Sequence, residues 1–234
     1  MLEEEGIDIA LVGDSLGMVE LGLDNTLSVT MDEMIYHAKA VSRAVSNTMM
    51  VVDMPFMSYQ VSMEDALVNA GRVLKETKAS AVKMEGGALI VPKVRALVEA
   101  GIPVMGHIGL MPQYIHSMGG YKVQGMSEEQ AKKLVEDAKL LEEAGVFSIV
   151  LEGVKVSVAK EITSLLKIAT IGIGAGIYCN GQVLVFHDLL GITPNPPRFA
   201  RAFADARGMA KKALSRFIAA VHEKVFPNDM ESYL

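Results

Sequence analysis

The chain has 234 residues, half of them hydrophobic, with 21 glycines, no tryptophan and a single cysteine, Cys179. That length holds one α/β barrel or two smaller domains, with ample sequence for a large core. A net charge of −6 with no run of lysines or arginines argues against nucleic acid and anionic membrane as partners, and one cysteine excludes an intrachain disulfide framework. No apolar run approaches the roughly 20 residues of a membrane span. The opening MLEEEGID lacks the basic and apolar regions of a signal peptide, so the expected compartment is the cytoplasm.

In chain order, the first strand candidate is IDIALVG at 7–13, followed after Thr30 by the amphipathic stretch MDEMIYHAKAVSRAV. MMVVD at 49–53 is the next strand, and Ser62 then reads as the N-cap of a helix with acids in its first turn. SAVKME at 80–85 and IPVMGH at 102–107 are strands three and four. The connection 108–126 after them is long and carries paired glycines, which marks it as a lid candidate. Ser127 caps a predicted helix, VFSIVLE at 146–152 is a strand, and 155–166 is a helix. IATIGIG at 168–174 and VLVFHDLL at 183–190 complete the strand candidates, with C-terminal helices from about residue 198.

Most of these strands are continuously apolar, as strands buried on both faces of a parallel sheet are. Repeated βα units without a Pro/Gly/Ser-rich linker point to one domain over 1–234. A closed (β/α) barrel has eight strands, but seven candidates are present, and the chain opens on what reads as the last turn of a helix, LEEEG. The expectation is a barrel lacking its first strand; an open seven-stranded parallel sheet is the alternative.

Ligands of parallel α/β proteins bind beyond the carboxyl ends of the strands. Those ends here carry Asp14-Ser15, Asp53, Lys83 with Glu85, His107, Glu152 and His187-Asp188, whereas the opposite ends are mostly Gly, Asn, Ser and Thr. A lone strand-end acid is commonly an N-cap or turn former, and Asp188 fits that reading. Several acids converging with a lysine repel one another and call for a cation, and carboxylates without a His/Cys cluster suit Mg²⁺ better than Zn²⁺. The glycines of 172–176 read as a tight turn, the methionines as core filler, and His37 and His222 as structural or solvated. Cys179 has no adjacent base and is not read as a nucleophile.

The stretches LVGDSLGM at 11–18, VDMPFMSY at 52–59, VKMEGG at 82–87, GHIGLMPQ at 106–113, GGYKVQG at 119–125, VLEGV at 150–154, IGIGAG at 171–176 and HDLLGI at 187–192 resemble, in order and over essentially the whole chain, the ketopantoate hydroxymethyltransferase family. That family is similar to the phosphoenolpyruvate/pyruvate-binding (β/α)₈ barrels. The resemblance implies transfer of a one-carbon unit from 5,10-methylenetetrahydrofolate to 3-methyl-2-oxobutanoate through a Mg²⁺-stabilised enolate. It implies Asp14, Asp53 and Glu85 around Mg²⁺, Ser15, Asp14, Asp53 and Lys83 on the keto acid, Glu152 as the base, and a homo-oligomer. His107 is near the incoming group or behind the ligands. Family members begin further upstream with a strand bearing a TAYDY-like motif, which departs from this chain. A mutase- or hydrolase-like Mg²⁺ barrel acting without folate, and a catalytically dead subunit, are the alternative readings.

Overall fold

The computed structural model describes residues 1–233. It divides into two compact units, Met1–Val183 and a second from Leu184 onward.

The first unit is a parallel sheet whose strands follow one another in sequence order: β1 Ile9–Val12, β2 Met49–Asp53, β3 Ala81–Glu85, β4 Val104–Gly109, β5 Ser148–Glu152, β6 Ala169–Ile173 and β7 Gly181–Gln182. The strands curl into a half-barrel. No pairing of β1 with β7 closes the sheet among the described residues. The first six strands coincide with the predicted segments, β4 running on past His107 to Gly109.

The helices of this unit are α1 Leu16–Val19, α2 Met31–Ser42, α3 Met63–Glu76, α4 Val91–Glu99, α5 Ile115–Met118, α6 Glu128–Glu143 and α7 Val156–Leu165. Local chemistry sets several starts. Thr30 and Ser127 form capping boxes with Glu33 and Gln130, and the Ser62 hydroxyl accepts from the Asp65 N–H. Each such cap satisfies a helix-end donor and contributes about 1 kcal/mol.

Strand residues alternate between two apolar clusters. One alternate set, including Met50, Val52, Val82, Met84, Val104, Ile149 and Leu151, packs with α2, α3, α4, α6 and α7. The other set, Val51, Ala81, Met105 and Val150, forms a separate small cluster with Ile9, Leu11, Ile171 and Ile173, all strand residues. Helices on one face and side chains of the strands and their immediate flanks on the other are the layering of a barrel rather than of a doubly wound sheet.

One expectation is corrected. The strand expected at 183–190 is not formed. β7 is only Gly181–Gln182, paired with Ile171 and Gly172, and Phe186–Leu189 is helix α8, opened by Asp188 N–H donating to the Val185 carbonyl at 3.0 Å. A short apolar run does not distinguish strand from helix by periodicity. The connection 108–126 has local structure of its own. It holds a 3₁₀ turn, Pro112–Tyr114, and α5, which stops at Gly119 in the left-handed region (φ 65°). Gln124 N–H then ties it down by donating to the Gly153 carbonyl at 2.8 Å.

In the second unit α8 leads into α9, Ala206–His222, which buries none of its residues. Met209, Leu214, Phe217, Ile218 and Val221 are all exposed along it. Among the described residues no helix is long and apolar enough to cross a membrane.

Candidate active site

The inner face changes character along the strands. One step of two residues beyond the apolar layer of Val51, Ala81, Met105 and Val150 come Asp53, Lys83, His107 and Glu152, which point the same way because side chains alternate along a strand. Glu85 follows Lys83 by the same step. The register sets them side by side: Asp53 lies opposite Lys83 and Glu85 opposite His107. Asp14 joins from the turn after β1, where its N–H donates to Asp53 Oδ2 at 3.0 Å. Ser15, half-buried, follows in that turn, and its hydroxyl does not cap α1.

These side chains form one network. Lys83 Nζ lies 2.9 Å from Asp53 Oδ1 and 3.1 Å from His107 Nδ1. His107 also faces Glu85 Oε1 at 3.5 Å through Nδ1 and Glu152 Oε2 at 3.3 Å through Nε2. The last contact is out of line for a hydrogen bond, as is that of Lys83 with Asp53 Oδ1. Asp14, Asp53, Lys83, Glu85 and His107 are each at most 5% exposed, whereas the Glu152 side chain keeps 15%. A carboxylate partly open above a closed charged cluster is placed to meet a ligand.

Burial and repulsion by Asp53 and Glu85 push Asp14 up to about 8, against Lys83 and a hydrogen bond from Gln113. Burial also raises the Asp53 carboxyl, opposed by Lys83 and the Asp14 N–H. Burial works against the Lys83 ammonium, but Asp53, Glu85 and Asp14 together hold it well above the usual lysine range. The ammonium is therefore the firmer charge of the Lys83–Asp53 pair. Glu85 is lowered: burial raises it, but His107, Lys83 and the Gln113 N–H outweigh that. For His107, burial and Lys83 disfavour the imidazolium, yet Glu152 and Glu85 lift it to about 9. The closest contact at Nδ1 is the Lys83 ammonium, a donor, which that nitrogen accepts only while the imidazole is neutral; the pull toward the imidazolium comes from the two glutamates. The arrangement that satisfies it puts a proton on Nε2, facing Glu152.

The acids Asp14, Asp53, Glu85 and Glu152 outnumber the basic groups Lys83 and His107. The donors at Asp14 and Asp53 are hard oxygens, Asp53 Oδ1 lacks any hydrogen bond, and a divalent cation beside them would relieve the repulsion that raises Asp14. No group of three His, Cys, Asp or Glu residues among the described residues is gathered closely enough to hold an ion by itself. Mg²⁺ needs only one or two carboxylates and completes its shell with water and substrate oxygens.

Of the strand-end residues singled out in the sequence, Asp14, Asp53, Lys83, Glu85, His107 and Glu152 converge. His187 and Asp188 lie in the second unit, in α8. Two further members of the network fall inside the stretches 52–59 and 106–113 that carry the family resemblance but were not singled out as site residues. Gln113 is buried in the 3₁₀ turn after β4, and the Tyr59 hydroxyl accepts from the Glu85 N–H at 3.1 Å. Neither ends a strand nor carries a charge that breaks an apolar run.

Fold and site together define an α/β-barrel enzyme with its acid–base groups at the carboxyl ends of the strands. The model of the ketopantoate hydroxymethyltransferase family matches residues 1–229. The chain is 53% identical over 234 residues to a 3-methyl-2-oxobutanoate hydroxymethyltransferase of Geobacter metallireducens, covering 100% of this chain and 88% of that protein. It is 55% identical over 229 residues to one of Clostridium novyi, covering 97% and 83%. Among solved structures it is similar to 2,3-dimethylmalate lyase, a PEP mutase/isocitrate lyase superfamily member, with a TM-score of 0.53 at 16% identity over 99% of this chain and 81% of that one. It is also similar to oxaloacetate acetylhydrolase, with a TM-score of 0.58 at 11% identity over 94% and 76%. These two share the fold. The chain belongs to the ketopantoate hydroxymethyltransferase family.

Proposed function

We propose that the chain transfers the one-carbon unit of 5,10-methylenetetrahydrofolate to 3-methyl-2-oxobutanoate, giving 2-dehydropantoate and tetrahydrofolate on the path to pantothenate. Beyond the family itself, the observation that carries the reading is Glu152, a partly exposed carboxylate beside His107, which in turn lies 3.1 Å from the buried Lys83 ammonium. Carbon-acid chemistry needs that combination: a base open to the substrate, and positive charge fixed where oxyanion charge develops.

Glu152 takes the C3 proton of the keto acid, and the C–H electron pair moves into the C2–C3 bond, leaving charge on the 2-oxo oxygen. Lys83, anchored by Asp53, stabilises that charge without having to reorganise. His107, 3.3 Å from Glu152, orients the base and holds a proton facing it. Asp14 and Asp53 would hold Mg²⁺, with Glu85 behind them, and the ion would supply Lewis-acid polarisation of the keto acid's oxygens. Ser15 and Lys83 contact the keto acid. The C3 carbon then bonds to the one-carbon unit in its iminium form, and water supplies the product hydroxyl as tetrahydrofolate leaves.

The exposed apolar side chains of α9 support a homo-oligomeric protein. The test of the reaction is product analysis after mixing chain, Mg²⁺, keto acid and methylenetetrahydrofolate. The expected result is 2-dehydropantoate and tetrahydrofolate in equal amounts. Turnover of the keto acid with no folate consumed would overturn the reading.

A further inference from the structure

Gln113 lies outside the residues given a chemical role above, yet its hydrogen bonds converge on them. Its Nε2 donates to Asp14 Oδ2 at 2.9 Å and to the Met54 carbonyl at 2.8 Å. Its Oε1 accepts from the Tyr59 hydroxyl at 2.8 Å and from Gln60 Nε2 at 3.1 Å. Its backbone N–H donates to Glu85 Oε2 at 3.0 Å. The side-chain amide thus uses both donors and both acceptor sites, and the residue is 3% exposed. The partners also fix which way the amide points. Turned over, Oε1 would face a carboxylate and a carbonyl, and the NH₂ group would meet the Gln60 amide donor.

The chain makes this convergence possible by a short route. Pro112 opens a 3₁₀ turn three residues past the end of β4, so Gln113 folds back over the strand ends rather than out to solvent. One residue then links the turn after β1 (Asp14), the end of β2 (Met54) and the end of β3 (Glu85).

We propose that Gln113 is a positioning residue of the reaction. Its side chain sets the orientation of Asp14, and its N–H sets that of Glu85. Together they determine how the acids face the keto acid and the cation. The inference rests on the assignment of Asp14 and Glu85 made above. Gln is required by geometry: Asn is one methylene short, Glu loses the two donors, and Met fills the volume with no hydrogen bond. Groups that orient metal-binding carboxylates from behind typically change affinity or activity about 10- to 100-fold when removed.

The test compares Gln113→Met with Gln60→Met, which removes a partner of the same Oε1 without touching an acid of the site. Mn²⁺ affinity is read by electron paramagnetic resonance on the protein without substrates. The KM for the keto acid is read from C3 proton exchange, and folding from the thermal melt. The expected result for Gln113→Met is a rise of about tenfold or more in Mn²⁺ Kd and in KM, in a protein that melts cooperatively. Gln60→Met should stay within about twofold of wild type in both. Equal losses in the two variants, or wild-type values in Gln113→Met, would overturn the proposal by reducing Gln113 to a packing role. If Gln113→Met does not fold, Gln113→Asn, which keeps the amide but withdraws it, is held to the same outcome. A wild-type protein that binds no Mn²⁺ would sink the cation assignment instead, and the KM difference between the variants would then decide the role of Gln113.

Discussion

Lys83 is a fully sequestered ammonium whose closest acid, Asp53, is itself buried. A charge in that setting is tolerable only because its partner is present, and the reverse holds as well. Replacing Lys83 with Met therefore does more than remove a contact, because it strands Asp53 and Asp14 among like charges. Urea unfolding of Lys83→Met should show a loss of about 3–5 kcal/mol, the usual cost of breaking a buried pair from one side. A loss under about 1 kcal/mol would show that Asp53 was never ionised against it. Glu152 stands in the opposite position, with part of its side chain open and no bonded cation to satisfy within the core. That contrast is the ground for proposing a fixed charge at Lys83 and proton transfer at Glu152.

At the scale of elements, strand β4 determines where Glu152 sits. Gly109 closes it with φ 97°, and a Cβ there would lie 2.3 Å from the Glu152 carbonyl oxygen and 2.6 Å from Val154 Cγ2. Leu110 N–H donates to that same carbonyl at 2.7 Å, so the chain beyond β4 is locked to the end of β5. Gly109→Ala adds both backbone strain and a collision with main-chain atoms. We expect it to lose about 1–3 kcal/mol of stability and to slow C3 exchange per folded molecule, since Glu152 must shift with its carbonyl. Wild-type stability with slow exchange, or the reverse, would uncouple the strand end from the base. The alternation of β2 to β5 serves the same end, with an apolar step at Val51, Ala81, Met105 and Val150 and a charged step two residues on. The apolar step keeps water from the underside of the charges, which strengthens every interaction above it.

For the molecule as a whole, the parallel strands and the strand-end acids were legible because each is a local break in a local pattern: an apolar run, then a charge. Asp14, Asp53, Lys83, Glu85, His107 and Glu152 all follow that rule. The run at 183–190 follows it too and misled, because an apolar stretch beside a glycine reads the same whether it forms a strand or a helical turn such as Phe186–Leu189. Gln113 and Tyr59 were missed for a different reason. Their roles depend on partners up to 99 residues away, as Gln113 and Asp14 are, and a neutral side chain leaves no mark in charge or periodicity. The account stands or falls on whether the site ionises a carbon acid. Proton NMR of 3-methyl-2-oxobutanoate in D₂O, with the chain and Mg²⁺ but no folate, follows that step alone. The account predicts loss of the C3 proton signal, stopped by chelation and slowed about 10²- to 10⁴-fold by Glu152→Gln. Exchange that persists unchanged in Glu152→Gln would contradict it.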